Sequence, residues 1–230
     1  MTGGNDLRLV VFDVDGTLID SQENIIEGMR RTFVALGLPP LPREQVLSIV
    51  GLSLNEAIAR LMPDLSPSQI EQGADLYRQS FVSIRAEKGE TAAPLYPGAM
   101  AVLQKLAEDD FTLLGVATGK SRRGLEHAYR AHGIGEIFVT SQTADDHPSK
   151  PNPSMLHRCL SDTGADPRRA VMIGDTSFDI EMGRAAGFRT IGVTWGYHPV
   201  SALRQAGADI LVDDFHAVPG AIEELVEVSL

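Results

Sequence analysis

Short apolar runs recur along the chain and alternate with segments of helical periodicity. Each run is short enough to be a strand buried on both faces, and between the runs the apolar spacing predicts helices over residues 99–108, 121–132, 153–163 and 177–186. Strands that alternate with helices in this way form parallel sheets with helical crossovers. We therefore predict an α/β fold, a doubly wound parallel sheet with a Rossmann-like core, whose strands are Leu7–Asp13, Phe111–Ala117, Ile137–Thr140, Ala170–Ile173, Thr190–Val193 and, more weakly patterned, Ala208–Val212.

One segment, residues 21–88, interrupts the alternation because it has helical patterning and no strand pattern. Ser66 and Pro67 begin a capping-box sequence that predicts a helix extending to about Arg85. A segment of this length is too long for a simple connection between two strands. We predict an all-helical cap domain over 20–92, inserted by linkers at Ile19–Ser21 and Gly89–Gly98 into a core domain that comprises 1–19 and 93–230.

Composition and charge narrow the classes of function. The chain has 43% hydrophobic residues, a single cysteine and a formal net charge of -11. Cys159 has no disulfide partner within the chain, and no signal peptide or membrane-spanning run is present, which favours the cytoplasm and no membrane association. The negative charge argues against nucleic acid as a partner. An anionic ligand would therefore need a local positive site.

Three predicted strands end directly at residues with charged or hydroxyl side chains. Asp13 and Asp15 follow the first strand, Thr118 the second, and Asp175 a later one, while Lys150 must reach back along a loop. In an open parallel sheet the carboxyl ends of the strands line one crevice, so we expect these residues to meet there. The backbone amides that follow Thr118, at a helix start, are suited to binding phosphate oxygens.

Three carboxylates in one crevice require a compensating cation. Carboxylate oxygens suit Mg²⁺, and one divalent ion together with Lys150 would balance the charges of Asp13, Asp15 and Asp175. A phosphate dianion would be repelled without these positive charges and tolerated with them. The sequence therefore predicts a magnesium site that binds a phosphate ester.

The order of these motifs resembles that of the haloacid dehalogenase-like hydrolase superfamily over essentially the full chain. The helical insertion is similar to the cap of its phosphoglycolate phosphatase-like branch. The resemblance is carried by four motifs in order: Asp13-Val14-Asp15-Gly16-Thr17-Leu18, Thr118, Lys150-Pro151, and Gly174-Asp175 followed by Asp179.

The resemblance implies catalytic roles for three residues. Asp13 would attack phosphorus and form an aspartyl-phosphate. Asp15 would protonate the leaving alcohol and then activate the water that hydrolyses the intermediate. Lys150 would neutralise charge on the nucleophile and on the phosphoryl group.

The resemblance also implies the binding residues. Thr118 and Gly119 would bind the phosphoryl oxygens together with Lys150. Asp175 would hold Mg²⁺ together with the Asp13 carboxylate and the Asp15 backbone carbonyl. Asp179 and Thr17 would support the site by contacting the residues that bind metal or substrate. Asp179 would lie near the metal or near Lys150.

We therefore predict a magnesium-dependent phosphatase that acts on a small phosphate monoester, phosphoglycolate-like or a sugar phosphate, through an aspartyl-phosphate. The alternatives are a phosphosugar mutase with the same intermediate and a catalytically silent binding protein of the same fold. A dehalogenase is disfavoured because Asp15, the second aspartate of the first motif, is present. A phosphonate hydrolase is disfavoured because it would need a lysine in the cap, and the only lysine there is Lys88, at the far end of the cap. The substrate stays open among phosphoglycolate, pentose or hexose phosphates, nucleotide monophosphates and pyrophosphate. The oligomeric state, monomer or homodimer, is also open. A cap arginine could contact the substrate, and the candidates are Arg30, Arg31, Arg43, Arg60, Arg78 and Arg85.

Overall fold

The centre of the protein is a parallel sheet, seen in a computed structural model that describes residues 7–89 and 92–227. Within these residues six strands pair in the order β3-β2-β1-β4-β5-β6, and every pairing is parallel. The chain runs from β1 outward to β3 and then returns to β4 on the other side of β1. The strands are β1 (Arg8–Phe12), β2 (Thr112–Thr118), β3 (Thr140–Thr143), β4 (Ala170–Gly174), β5 (Arg189–Val193) and β6 (Ile210–Val212).

Helices cover both faces of this sheet because successive strand residues point to opposite sides. In β1, Val10 and Phe12 pack into one buried cluster with the helices α5, α6 and α10, whereas Leu9 and Val11 pack into another with α7 and α8. This two-sided packing confirms the predicted doubly wound α/β class. These helices, with the short α9, are α5 (Ala99–Ala107), α6 (Arg122–His132), α7 (Ser154–Thr163), α8 (Ser177–Ala185), α9 (Val200–Ala206) and α10 (Val218–Glu227).

The third strand differs from its prediction. The apolar run at 137–140 was predicted as the strand, but β3 begins at Thr140 and has the polar sequence Thr-Ser-Gln-Thr. The apolar residues before it follow a 3-10 turn, and Phe138 stacks on Tyr129 of α6 with ring centroids 5.5 Å apart. Phe138 packs against α6, whereas Val139 is 59% exposed, so the prediction of a strand there was wrong.

Of the described residues between β1 and α5, four segments are helical, as the pattern of residues 21–88 predicted: α1 (Gln22–Ala35), α2 (Arg43–Leu47), α3 (Leu54–Leu61) and α4 (Pro67–Lys88). The capping box at Ser66 is formed, with Pro67 as the first residue of α4. The insertion has its own buried cluster, which includes Met29, Phe33 and Ile58. Its status as a separate domain stays a prediction.

The two segments that join the insertion to the sheet lie side by side. The Asp20 amide donates to the Pro94 carbonyl and the Tyr96 amide to the Leu18 carbonyl, both at 2.9 Å. Ile19 and Leu95 form an antiparallel bridge between these hydrogen bonds. Residues 90 and 91 of the predicted return linker lie outside the described residues, as do residues 1–6 and 228–230 of the predicted core domain.

Candidate active site

The site begins where β1 and β4 end beside each other. The Asp13 amide donates to the Ile173 carbonyl at 2.9 Å, which continues the pairing of β1 and β4 to the carboxyl ends of both strands. Gly16 then turns the chain with a φ of 86°. A Cβ at Gly16 would lie 2.2 Å from Asp175 Oδ2, so only glycine allows this close approach of the two segments. The turn therefore brings the first and fourth motifs into contact.

Lys150 connects two carboxylates in the interior. Its Nζ atom donates to Asp13 Oδ1 and to Asp179 Oδ1, each at 2.7 Å, and all three side chains are almost fully buried. Asp179 is itself fixed by the first turn of α8, because its Oδ2 accepts from the Thr176 amide at 3.0 Å and from the Thr176 hydroxyl at 2.7 Å. The loop lysine is thus oriented by a helix cap and by the end of β1.

Asp175 is held from two sides. Its Oδ1 accepts from the Thr17 hydroxyl at 3.0 Å, and its Oδ2 accepts from the Tyr197 amide at 2.8 Å. A Cβ at Gly196 would lie 2.1 Å from Asp175 Cβ, so the loop after β5 also approaches closely only because it carries glycine there. Thr17 therefore orients Asp175 by a direct hydrogen bond.

Three of these carboxylates form a site that fits a hard divalent cation. Asp13, Asp175 and Asp179 each offer an oxygen, and the three oxygens lie within 4.8 Å of one another. Lys150 is the one cation bonded to this group, so two negative charges are left uncompensated within the described residues. Asp13 Oδ2 is buried and has no hydrogen-bond partner there. A buried oxygen without a donor and an excess of two negative charges are what a divalent ion would satisfy.

Burial and mutual repulsion shift the acidities of these groups. Burial raises the pKa of Asp13 to about 7, against the lowering effect of the Lys150 ammonium. Burial, followed by repulsion from Asp179 and Asp13, raises the pKa of Asp175 well above its usual value. Burial alone would lower the pKa of Lys150, but attraction to the two carboxylates outweighs it and raises this pKa. Without a cation, the cluster therefore favours bound protons.

Asp15 lies outside this cluster of carboxylates. Lys120 Nζ donates to both of its oxygens, at 2.6 and 2.7 Å, and the Ser21 hydroxyl donates to Oδ1. The Ser21 amide in turn donates to the Tyr197 hydroxyl at 3.0 Å. The structure therefore groups Asp179, rather than the Asp15 side chain, with Asp13 and Asp175.

The side chains of Lys120, Ser21 and Tyr197 have no site role in the prediction from sequence, which uses only the backbone amides after Thr118. Lysine is scarce in the chain, four residues against sixteen arginines, and this scarcity is a signal that points to Lys120. No signal in the sequence pairs it with Asp15, since the two residues are far apart along the chain.

Thr118 and Gly119 end β2 at the same edge of the sheet. Thr118 is buried, and its hydroxyl accepts from the Lys120 amide at 3.3 Å. A Cβ at Gly119 would lie 2.5 Å from the Leu52 carbonyl oxygen, so the insertion sits directly against this turn. Gly119 is thus covered by the loop that precedes α3.

A cavity of about 750 Å³ opens between the insertion and the core. Asp13, Asp15 and Thr118 line one end of it, while α1 and α4 form one wall and α6 the other. Two of the six candidate arginines, Arg78 and Arg85, lie in this lining. Arg78 also pairs with Asp75. The four arginines outside the lining pair with glutamates: Arg30 and Arg31 with Glu27, Arg43 with Glu23, and Arg60 with Glu56.

Comparisons with known proteins agree with this arrangement. Residues 10–193 match the family model described as haloacid dehalogenase-like hydrolase. The chain is 33% identical to the probable phosphatase IndB of Dickeya dadantii, with 96% of each chain covered. It is 29% identical to a phosphoglycolate phosphatase of Vibrio parahaemolyticus, covering 97% of this chain and 96% of that one.

A solved structure of similar fold is the haloacid dehalogenase-like family protein SP0104 from Streptococcus pneumoniae. Its TM-score is 0.80 at 25% identity, with 95% of this chain and 99% of that chain covered. Among the described residues, none of the helices combines the length and apolar character that crossing a lipid bilayer requires.

Proposed function

The chain belongs to the haloacid dehalogenase-like hydrolase family and is a phosphatase, and we propose that it hydrolyses a small phosphate monoester with Mg²⁺ through an aspartyl-phosphate. The buried group of Asp13, Lys150, Asp175 and Asp179 is the observation that supports this proposal most directly. It supplies a nucleophile, a fixed ammonium and an excess of two negative charges beside one another. Phosphoryl transfer depends mainly on positioning and on charge neutralisation, and this group provides both.

In the first step, an Asp13 oxygen attacks phosphorus while the bond from phosphorus to the leaving oxygen breaks. Asp13 Oδ2 is the oxygen with no hydrogen bond among the described residues, whereas Oδ1 is held by Lys150. The lysine thus orients the carboxylate for attack, while Oδ2 is left to the cation. The leaving oxygen takes a proton from Asp15 and departs as the alcohol.

In the second step, water attacks the phosphorus of the aspartyl-phosphate. Asp15 accepts a proton from this water, the bond between phosphorus and the Asp13 oxygen breaks, and inorganic phosphate leaves. Hydrogen bonds from Lys120 and Ser21 orient the Asp15 side chain for both steps.

The remaining residues bind the phosphoryl group and the cation. We propose that Thr118 and the Gly119 amide bind phosphoryl oxygens at the end of β2. Asp13 and Asp175 would hold Mg²⁺, together with the Asp15 backbone carbonyl, while Thr17 and Asp179 orient Asp175 and Lys150. When bound, the ion would neutralise charge on the transferring group.

The test measures free phosphate released from p-nitrophenyl phosphate and from 2-phosphoglycolate, with Mg²⁺ and with a chelator. Wild type is expected to be active only with the metal, and Asp13→Asn should lose activity by at least about 10⁴-fold. The exposed Asp110→Asn is the matched control. Retained turnover in Asp13→Asn would overturn the nucleophile, and interconversion of sugar phosphates without free phosphate would indicate a mutase instead.

The insertion would act as a cap that closes over this site and excludes water. The carbonyls of Gly51 and Leu52, which lie against Gly119, support this role. A location in the cytoplasm, the monomeric or dimeric state, and the absence of nucleic acid as a partner stay predictions from the sequence.

A further inference from the structure

The cavity is much larger than a two-carbon leaving group needs. Its volume is about 750 Å³, within the range of about 300–1,000 Å³ that pockets for drug-sized ligands occupy. We infer that the preferred substrate is a phosphate monoester whose leaving group carries a planar aromatic or heteroaromatic ring, as a nucleoside 5′-monophosphate does. The inference rests on the proposed phosphatase function and specifies its substrate class.

Two aromatic side chains of α4 form part of the cavity wall. Tyr77 and Phe81 lie one helical turn apart with ring centroids 5.2 Å apart and planes inclined by 41°. Gly28 of α1 faces them, and a Cβ there would lie 3.0 Å from the Tyr77 ring and 3.3 Å from Phe81. The absence of a side chain at Gly28 therefore lets the two rings pack closely against α1. Rings held in this way present a fixed surface on which another ring can stack.

This aromatic surface lies next to the reacting end of the cavity. Lys120 Nζ is 2.6 Å from Asp15 Oδ1 and 5.9 Å from the centroid of the Phe81 ring. One ammonium group thus separates the carboxylate proposed as acid and base from the ring of Phe81. A leaving group bound at Asp15 would extend along this wall.

The rest of the lining suits a ring with hydrogen-bond acceptors at its edge. Ile25 and Met29 of α1 continue the apolar wall, and Ala131 of α6 lies on the opposite side. Arg78, Arg85 and Arg123 also line the cavity, and arginine donates to carbonyl and hydroxyl oxygens. Glycolate, which has no apolar surface to bury, would leave this wall in contact with water.

A matched pair of substrates tests the inference. Uridine 5′-monophosphate and ribose 5-phosphate share the ribose 5-phosphate unit and differ at the base. With Mg²⁺ and free phosphate as the readout, we expect kcat/KM to be at least about tenfold higher for the nucleotide, from one stacked ring. Adenosine 5′-monophosphate and pyridoxal 5′-phosphate extend the ring class, and 2-phosphoglycolate represents the small class.

The outcomes separate the two proposals. The inference would be overturned if kcat/KM for all three ring-bearing esters were equal to or lower than kcat/KM for ribose 5-phosphate and 2-phosphoglycolate. The phosphatase proposal would then stay intact. Inactivity toward every ester, p-nitrophenyl phosphate included, would overturn the phosphatase proposal itself.

Two variants test whether the cavity wall determines the preference for ring-bearing substrates. Phe81→Ala is expected to lower the ratio of kcat/KM for uridine 5′-monophosphate over ribose 5-phosphate by about tenfold, because it removes one stacking surface. Phe111→Ala, at an exposed phenylalanine outside the cavity, is the matched control and should keep the ratio. Ala131→Phe, which narrows the cavity from α6 and leaves α4 unchanged, should lower the same ratio. An unchanged ratio in folded Phe81→Ala or in Ala131→Phe would contradict the inference.

Discussion

The carboxylate cluster and the cavity wall differ in how their side chains are held. In the cluster every charged group is buried and bonded to other polar groups, as when Lys150 connects Asp13 with Asp179. On the wall the rings of Tyr77 and Phe81 are held by packing against α1. A site fixed by buried ion pairs is intolerant of change, whereas an apolar wall accepts changes of shape at modest cost. The difference indicates that the reaction and the choice of substrate are built from separable parts.

The loop before α3 also makes polar contacts with the core. The Ser53 amide donates to Ser149 Oγ at 2.8 Å, next to Lys150 in sequence. His198 Nδ1 accepts from the Ser177 amide at 3.2 Å, so its Nε2 carries the proton that is donated to the Ser48 carbonyl at 3.1 Å. Burial lowers the pKa of His198, which favours this neutral form. The insertion therefore contacts the core through the loop between α2 and α3 as well as through the hydrogen bonds of Ser21.

The largest effect is expected from Lys150→Met, which removes the only ammonium bonded to the cluster among the described residues. Activity should fall by at least about 10³-fold because the nucleophile loses its orienting cation. The free energy of unfolding should fall by about 3–5 kcal/mol, since two buried carboxylates lose their partner. Steady-state kinetics and urea unfolding measure the two effects. Lys105→Met, at an exposed lysine of α5, is the control, and a Lys150→Met protein as stable and active as this control would contradict the assignment.

Addition of Mg²⁺ should stabilise the protein, and more strongly at higher pH. Burial raises the pKa of Asp13 from 3.8 to about 7, so between these values the folded state binds more protons than the unfolded state and stability falls as the pH rises. A cation that replaces those protons restores the loss, by about 2.7 kcal/mol at a hundredfold excess over its Kd. Thermal unfolding at pH 5 and pH 7, with Mg²⁺ and with a chelator, measures this effect. An equal rise in Tm for Asp175→Asn would show that the ion binds elsewhere.

A smaller effect is expected at the boundary between the two regions. Lys120→Met removes the ammonium that contacts both oxygens of Asp15 and should lower kcat by about tenfold, the value of one hydrogen bond to a charged group. Stability in urea should fall less than in Lys150→Met, since one carboxylate rather than two loses its ammonium and Asp15 keeps the hydrogen bond from Ser21. A loss of activity as large as that of Lys150→Met would mean that the two regions are not separable.

The smallest effect is expected on the outer face of the insertion. Hydrogen bonds from Arg30 and Arg31 lower the pKa of Glu27 from 4.5 to about 2. The depressed pKa contributes stability that is present above about pH 4.5 and lost as the pH falls toward 2. This pH dependence is opposite in sign to that of Asp13 in the carboxylate cluster, whose contribution is lost as the pH rises. Because the pair is partly exposed, Glu27→Gln should cost only about 0.5 kcal/mol at pH 7 by urea unfolding. A cost at pH 2 as large as the cost at pH 7 would show that the contribution is not electrostatic.

Local patterns predicted the fold well where the structure depends on neighbours in sequence. The capping box at Ser66 and the N-cap at Ser121 satisfy helix amides a few residues away, so their sequences are sufficient to locate the helix starts. The strand predicted at 137–140 failed because the same apolar residues can be buried under a helix or within a sheet. Periodicity reports burial, and only packing decides between these two environments.

The sequence by itself determined that Asp13, Thr118 and Asp175 lie at the ends of strands, since each follows a short apolar run and has a glycine within three residues. Only the tertiary structure decided that Asp179 joins Asp13 through Lys150, and that Asp15 faces Lys120. It also decided the size and the aromatic lining of the cavity. These features depend on where side chains point after the loops that follow the strands, and on how helices far apart in sequence pack together. Such long-range geometry has no signature in the spacing of residues along the chain.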